Sequence, residues 1–241
     1  MKILLTVVVS ADVAKTNSDT LYEGIELIYP EEGESGKEYL SRAVKAAKGK
    51  FTVIADRKFL FADVQSLLNI IDKNTADVVS FLGNIAVRTA VLKGIKEFTD
   101  DFSLTLLGIL GSKTVLKTVY NPFNFEHKAH AFTEENTTAL LICAEAFGKV
   151  KAKLAKEIYS LAFGMLCDRL VIYYLYALLS IKDGNLDSGK LIAFDGKLKA
   201  EIVLYLALEK RFTYAKLQKL REKNFKISGW TARKFRKILA K

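Results

Sequence analysis

Between residues 3 and 120 the apolar pattern switches repeatedly between two periods, and after residue 133 it keeps only the helical one. Residues 3–9, 25–29, 51–55, 77–82 and 115–119 are short runs rich in β-branched or aromatic side chains. Between them, residues 36–48 set Leu40, Val44 and Ala47 on one side of a helix, with Lys and Arg on the other. Residues 62–73 keep Val64, Leu67, Leu68 and Ile71 at three- and four-residue spacing, and further helices are expected near 86–92 and 101–110. Strands alternating with helices predict an α/β sheet covered by helices.

From residue 133 onward only helices are expected, at about 197–208, 214–223 and 229–240 after a long apolar stretch reaching residue 181. Asp183-Gly184-Asn185 and Asp195-Gly196 read as turns between them. The composition shifts across residues 121–132, which include Asn121-Pro122, so an α/β domain over 1–123 and an all-helical domain over 124–241 are expected. Two prolines and fourteen glycines are too few for a flexible tether, so the parts should adjoin directly.

Several local features favour ordinary structural roles. The opening MKILLTVVV has the look of a short signal sequence, but its weak basic start and β-branched run suit a buried first strand better. Residues 158–181 hold only Asp168 and Arg169 as charges, in mid-segment, and the uninterrupted remainder of twelve residues fits a buried core helix of a soluble protein. Cys143 and Cys167 sit among apolar neighbours and read as small buried hydrophobes in a reducing, cytoplasmic setting. His127 and His130 lack a companion cluster of metal-ligating residues. Tyr173, Tyr174 and Tyr176 read as core or interface.

Charge is concentrated at one end. The formal net charge is +10, and residues 210–241 contain twelve Lys or Arg against one Glu, a net of +11. Ser228 is a fitting N-cap for a last helix on which Trp230, Phe235, Ile238 and Leu239 would share a face, flanked by Arg233, Lys234, Arg236 and Lys237. Docking on its own domain, contact with an anionic membrane surface, and contact with nucleic acid all suit such a helix. Nucleic acid fits least, because the charge is confined to one end and no recognition motif accompanies it.

Three segments carry a family resemblance. Residues 25–35 read as a strand ending in Glu31-Glu32-Gly33-Glu34-Ser35. Residues 41–58 read as a helix, a Lys48-Gly49-Lys50-Phe51 turn, and a strand ending in Asp56-Arg57-Lys58. Residues 98–106 contain Asp100-Asp101 at a helix start. In this order they resemble the nucleotide-sugar domain of family-2 glycosyltransferases, the GT-A fold, over residues 3–123; the stretch from Lys48 through Ala76-Asp77-Val78-Val79 is the most specific part. The resemblance implies that Glu31 and Glu32 help hold the nucleoside, and that Asp56 meets the diphosphate and its divalent cation, Mg or Mn. It also implies that Asp101 is the general base on the acceptor hydroxyl.

The chain departs from that family in two respects. Lys58 stands where a second D-x-D carboxylate is expected, so it would repel a cation while offering its own charge to a diphosphate. The segments before Ile25 and before Ser41 are short, so a helix and a strand of the family are expected to be missing. Two functions follow from the resemblance. One is sugar transfer from a nucleotide donor to a polysaccharide or lipid-linked acceptor, with residues 210–241 holding the protein to the inner membrane face. The other is a non-catalytic GT-A-like scaffold or binding module acting in a homo- or hetero-oligomer.

Overall fold

The computed structural model describes residues 2–9, 22–55, 59–61, 63–82, 84–120, 123–125, 134–212 and 215–240, with backbone alone at 59–61, 123–125 and 134–135. The chain forms two compact units, residues 1–128 with 153–159, and residues 129–152 with 160–241.

The first unit is mixed α/β. Strands β1 (Leu5–Val9), β2 (Ile25–Ile28), β3 (Phe51–Ala55), β5 (Val78–Phe81), β6 (Asn84–Arg88) and β7 (Val115–Lys117) make one sheet in the order β2-β1-β3-β6-β5-β7. All run parallel except β6, which is antiparallel to both its neighbours. A separate pair joins β4 (Phe59–Phe61) to β8 (Phe123–Phe125). Strand β1 lies inside the sheet and every one of its residues is buried. That explains why its sequence is an apolar run broken only by Thr6 and not an alternating one.

Helices α1 (Gly36–Ala46), α2 (Val64–Lys73), α3 (Thr89–Lys93) and α4 (Asp101–Leu110) connect the strands. Their starts follow local sequence. Ser35 and Glu38 form a reciprocal capping box on α1, and Asp63 caps α2 through the Ser66 N–H. Asp100 caps α4 in a box with Ser103.

Two expectations change. Residues 86–88 belong to strand β6, and the helix is confined to Thr89–Lys93; the Asn84-Ile85-Ala86-Val87-Arg88 run folds back on β5 as a hairpin. Asp195-Gly196 is not a turn but lies inside a helix, for a reason given below.

The Lys48-Gly49-Lys50-Phe51 stretch binds the sheet together. The Gly49 N–H donates to Thr6 Oγ1 at 2.9 Å, and the Thr6 hydroxyl donates to Glu26 at 2.8 Å. Thr89 donates to the Gly49 carbonyl at 2.6 Å and meets Thr52 at 2.9 Å. Lys50 Nζ reaches the carbonyls of Ile71, Asp72 and Asn74 at 2.7–3.0 Å, closing the end of α2. The Lys48-Gly49-Lys50-Phe51 turn therefore has a structural role of its own.

The second unit is all helical: α5 (Glu134–Val150), α6 (Lys156–Lys182, belonging to this unit from residue 160), α7 (Ser188–Leu198), α8 (Ile202–Arg211), α9 (Leu217–Glu222) and α10 (Gly229–Leu239). Helix α6 is unbroken for 27 residues and by length and apolarity could cross a membrane, although half of its most apolar window is buried within the protein. Tyr174 stands at the centre of an aromatic core with Phe194, Phe212 and Phe225, ring centroids 5.9–6.4 Å away.

Beside this core is a buried charge cluster. Arg221 grips both carboxylate oxygens of Asp195 at 3.0–3.1 Å, donates to Glu209 at 2.9 Å and stacks 3.9 Å over the Tyr205 ring. The Tyr174 hydroxyl donates to the same Asp195 at 2.5 Å. Asp195 must face inward to receive these donors, which is why Asp195-Gly196 continues a helix instead of turning. Burial, reinforced by the neighbouring Asp195 charge, pushes the Tyr174 phenol well above its usual pKa.

Candidate functional site

Parallel α/β sheets bind ligands outside the carboxyl ends of their strands, where the strand order reverses. The chain leaves β1 toward β2 on one side and returns to β3 on the other, so the reversal falls between β1 and β3. Val9 stands level with Ala55, and Val8 with Ile28, so three strands end at one edge.

The β1–β2 half of that edge is closed. Tyr39, on the first turn of α1, is buried, and its hydroxyl lies 2.6 Å from the carbonyls of both Val9 and Ile28. Burial raises its pKa strongly, so it remains a neutral donor.

The acidic turn follows β2 directly. Gly33 adopts φ +80°, which lets residues 31–34 fold back on themselves. The Glu31 N–H donates to Glu34 Oε2 at 3.1 Å, and the Glu34 N–H to the Glu31 carbonyl at 3.3 Å. Arg42, two turns into α1, reaches back to the turn. Its Nε and Nη2 donate to Glu34 at 2.9 and 2.8 Å, Nη2 also meets the Tyr29 carbonyl at 3.0 Å, and Nη1 lies 3.3 Å from Glu31. The Arg42 hydrogen bond holds the Glu34 carboxyl below its usual range. Glu32 is exposed and has no partner among the described residues.

Asp101 is the first residue of α4, half-buried, with its carboxylate accepting from the Phe102 N–H at 2.9 Å. Helix α4 packs Gly108 against Val87 and Leu92 and ends five residues before β7, whose Val115 stands beside Val78 at the start of β5. Glu31 and Glu32 thus follow the end of β2, and Asp101 opens α4. Asp56 and Lys58 lie outside the described residues, as do His127 and His130. Among the described residues, no three His, Cys, Asp or Glu side chains converge as a metal cage.

Sequence reasoning missed Arg42 and Tyr39. An acid immediately before the N-cap with an arginine eight residues later was the available signal for Arg42. For Tyr39 there was none, because its role depends on which strands neighbour one another.

The terminal helix also differs from expectation. Phe235 is fully buried with Ala232, its ring 6.1 Å from that of Phe212, and faces the core of its own unit. Trp230 is 72% exposed and stands on the other side of the helix. Five residues at 100° each turn Phe235 140° away from Trp230, which separates the two aromatics that the amphipathic pattern had grouped.

Compared with models of known protein families the chain matches none, and no curated protein matches it either.

Proposed function

We propose that the chain is a GT-A-type protein that binds a nucleotide sugar at the β1–β3 edge and transfers the sugar to a polysaccharide or lipid-linked acceptor. The observation that carries this reading is topological. A mostly parallel sheet with one antiparallel strand reverses its order at β1–β3, and the acidic turn follows β2 beside that reversal. In this reading Glu32, the turn acid without a protein partner, accepts from base N–H or ribose hydroxyl groups, and Glu31 assists from its pairing with Arg42. Asp101, ionised at a helix N-terminus, takes the proton of the acceptor hydroxyl as that oxygen attacks the anomeric carbon and the diphosphate departs. Lys58 and Asp56 flank the diphosphate. One carboxylate beside two cations does not suit a hard divalent ion, so the leaving charge is assigned to Lys58 and no step is routed through Mg or Mn. The protein would work at the cytoplasmic face of the membrane.

A second reading has its own support. Arg42 already occupies Glu34 and Glu31, and a turn neutralised from within has less to offer a nucleoside. A non-catalytic scaffold follows from that, pairing with itself or with an active transferase. Calorimetric titration with UDP and with UDP-, GDP- and TDP-sugars, each with and without Mg²⁺ or Mn²⁺, separates the two. Micromolar binding without metal, lost in Asp56→Ala, supports transfer; no binding to any donor under either condition leaves the scaffold.

A further inference from the structure

The exposed side of α10 has a composition that neither the fold nor the crevice requires. Trp230 projects at 72% exposure, and Arg233, Lys234 and Lys237 surround it on the same side, all exposed, with Lys234 Nζ 5.8 Å from the indole centroid. None of the three cations has an acidic partner among the described residues. Other cations of the tail are engaged elsewhere: Arg211 pairs with Asp168, Arg221 with Asp195 and Glu209, and Arg236 with Asp183. Lys216, Lys219, Lys223 and Lys226, on α9 and the turn leading into α10, are exposed and without acidic partners, so the unneutralised charge continues beyond the helix.

We infer that this side of α10 docks on a bilayer surface rich in anionic lipid, with the Trp230 indole set at the level of the headgroups and Arg233, Lys234 and Lys237 on lipid phosphates. The exposed Trp230 selects a bilayer over a nucleic acid. A large amphipathic indole left in water costs free energy that the interfacial region recovers, and tryptophan is enriched there for that reason. The mode differs from a helix lying half-sunk in lipid. The apolar side of α10 is occupied by Phe235 and Ala232 packing inward, so binding rests on surface charge and one anchor. It adds a partner to the proposed function and does not depend on transferase chemistry.

Trp230 is the only tryptophan in the chain, so its emission reports this surface alone. The full-length protein is titrated with phosphatidylcholine vesicles, with vesicles containing phosphatidylglycerol, and with a mixed-sequence DNA duplex, at low and high salt. The expected result is cosedimentation with phosphatidylglycerol vesicles, a blue shift of the emission and release by high salt. Binding to phosphatidylcholine alone should be at least tenfold weaker. At roughly 1 kcal/mol per cation near an anionic surface, Arg233→Gln, Lys234→Gln and Lys237→Gln together should lower the partition coefficient about 100-fold. Lys37→Gln, Lys45→Gln and Lys93→Gln together, on exposed positions of α1 and α3, serve as the charge-matched control and should leave it unchanged. Trp230→Ala, checked for folding by circular dichroism, should weaken binding while keeping its salt dependence. Vesicle binding without a change in Trp230 emission overturns the inference. So does failure to bind anionic vesicles, whether or not the duplex binds.

Discussion

Gly49→Ala tests whether the Lys48-Gly49-Lys50-Phe51 motif is needed for folding. A Cβ at Gly49 would stand 2.4 Å from the Thr6 nitrogen, 2.6 Å from the Leu5 carbonyl carbon and 2.8 Å from the Phe51 oxygen. Nonbonded carbons rest at about 3.5–4.0 Å, so the turn and β1 must part by roughly 1 Å. All three obstructing atoms are main chain, so none can rotate away. Parting weakens the Gly49–Thr6 and Thr89–Gly49 hydrogen bonds, about 1 kcal/mol each in net terms. Overpacking adds about 1–3 kcal/mol, and the stiffer unfolded chain returns about 0.4–1 kcal/mol. The expected destabilisation is about 2–4 kcal/mol. Trp230 lies in the other unit, so urea unfolding is followed by far-UV circular dichroism, together with amide exchange of β1. Gly196→Ala is the companion. Nothing lies within 4 Å of its added Cβ, and mid-helix alanine should stabilise by about 0.5–1 kcal/mol. A Gly49→Ala protein within about 0.5 kcal/mol of wild type would refute the close approach, and a ligand would then be needed to explain the motif.

Two further outcomes are expected. Arg221→Met leaves Asp195 buried with only the Tyr174 hydroxyl as a charge-stabilising donor, and should destabilise the helical unit by about 3–5 kcal/mol in urea unfolding followed by far-UV circular dichroism; adding Asp195→Leu should recover most of it, and a single-variant loss below about 1 kcal/mol would contradict the network. Tyr39, Tyr173 and Tyr174 have phenol pKa values raised chiefly by burial, that of Tyr173 to about 12. A folded pKa above the unfolded value of about 10 contributes stability that is complete below pH 10 and is lost as pH rises through 12. Absorbance titration of the ten tyrosines should therefore show a fraction that ionises only as the fold opens above pH 10; full ionisation of all ten with the far-UV spectrum intact would overturn this.

The mixed α/β class was legible because β1 and β3 are covered on both faces and read as near-continuous apolar runs, while α1 and α2 carry their own caps. Strand β6 was not. Asn84–Arg88 runs without a break into Thr89–Lys93, so a single window averages a strand with the helix that follows it. The Asp195-Gly196 pair misled for a different reason. Its turn chemistry is genuine, but Arg221, twenty-six residues later, supplies a stronger partner than the local backbone. Similarly, the terminal helix looked amphipathic because Trp230 was counted with the apolar residues, whereas burial divides it from Phe235. The candidate acids Glu31, Glu32 and Asp101 could be found from local turn and cap patterns. The pairing of Glu31 and Glu34 with Arg42, and the plug formed by Tyr39, depend on how helix α1 sits against β1 and β2.

Arg42 decides how the two functional readings should be weighed. An arginine that pairs with Glu34 and Glu31 and holds the Tyr29 carbonyl makes the turn rigid, and a rigid turn is what a nucleoside site needs from its frame. The same pairing lowers the negative charge that the turn presents, which leaves Glu32 as its free acceptor. The two consequences separate in Glu32→Gln and Arg42→Ala. If the turn is a site, Glu32→Gln weakens donor binding with little effect on stability, whereas Arg42→Ala weakens donor binding and loosens the turn together. If the turn is only a connection, Arg42→Ala still loosens it and Glu32→Gln changes nothing. Because the turn lies in the first unit and Trp230 in the second, donor binding and vesicle binding can be scored independently in one preparation. A protein that binds anionic vesicles but no nucleotide sugar is then a membrane-surface scaffold, and one that binds both retains the transferase reading, which sugar release from the donor must then test.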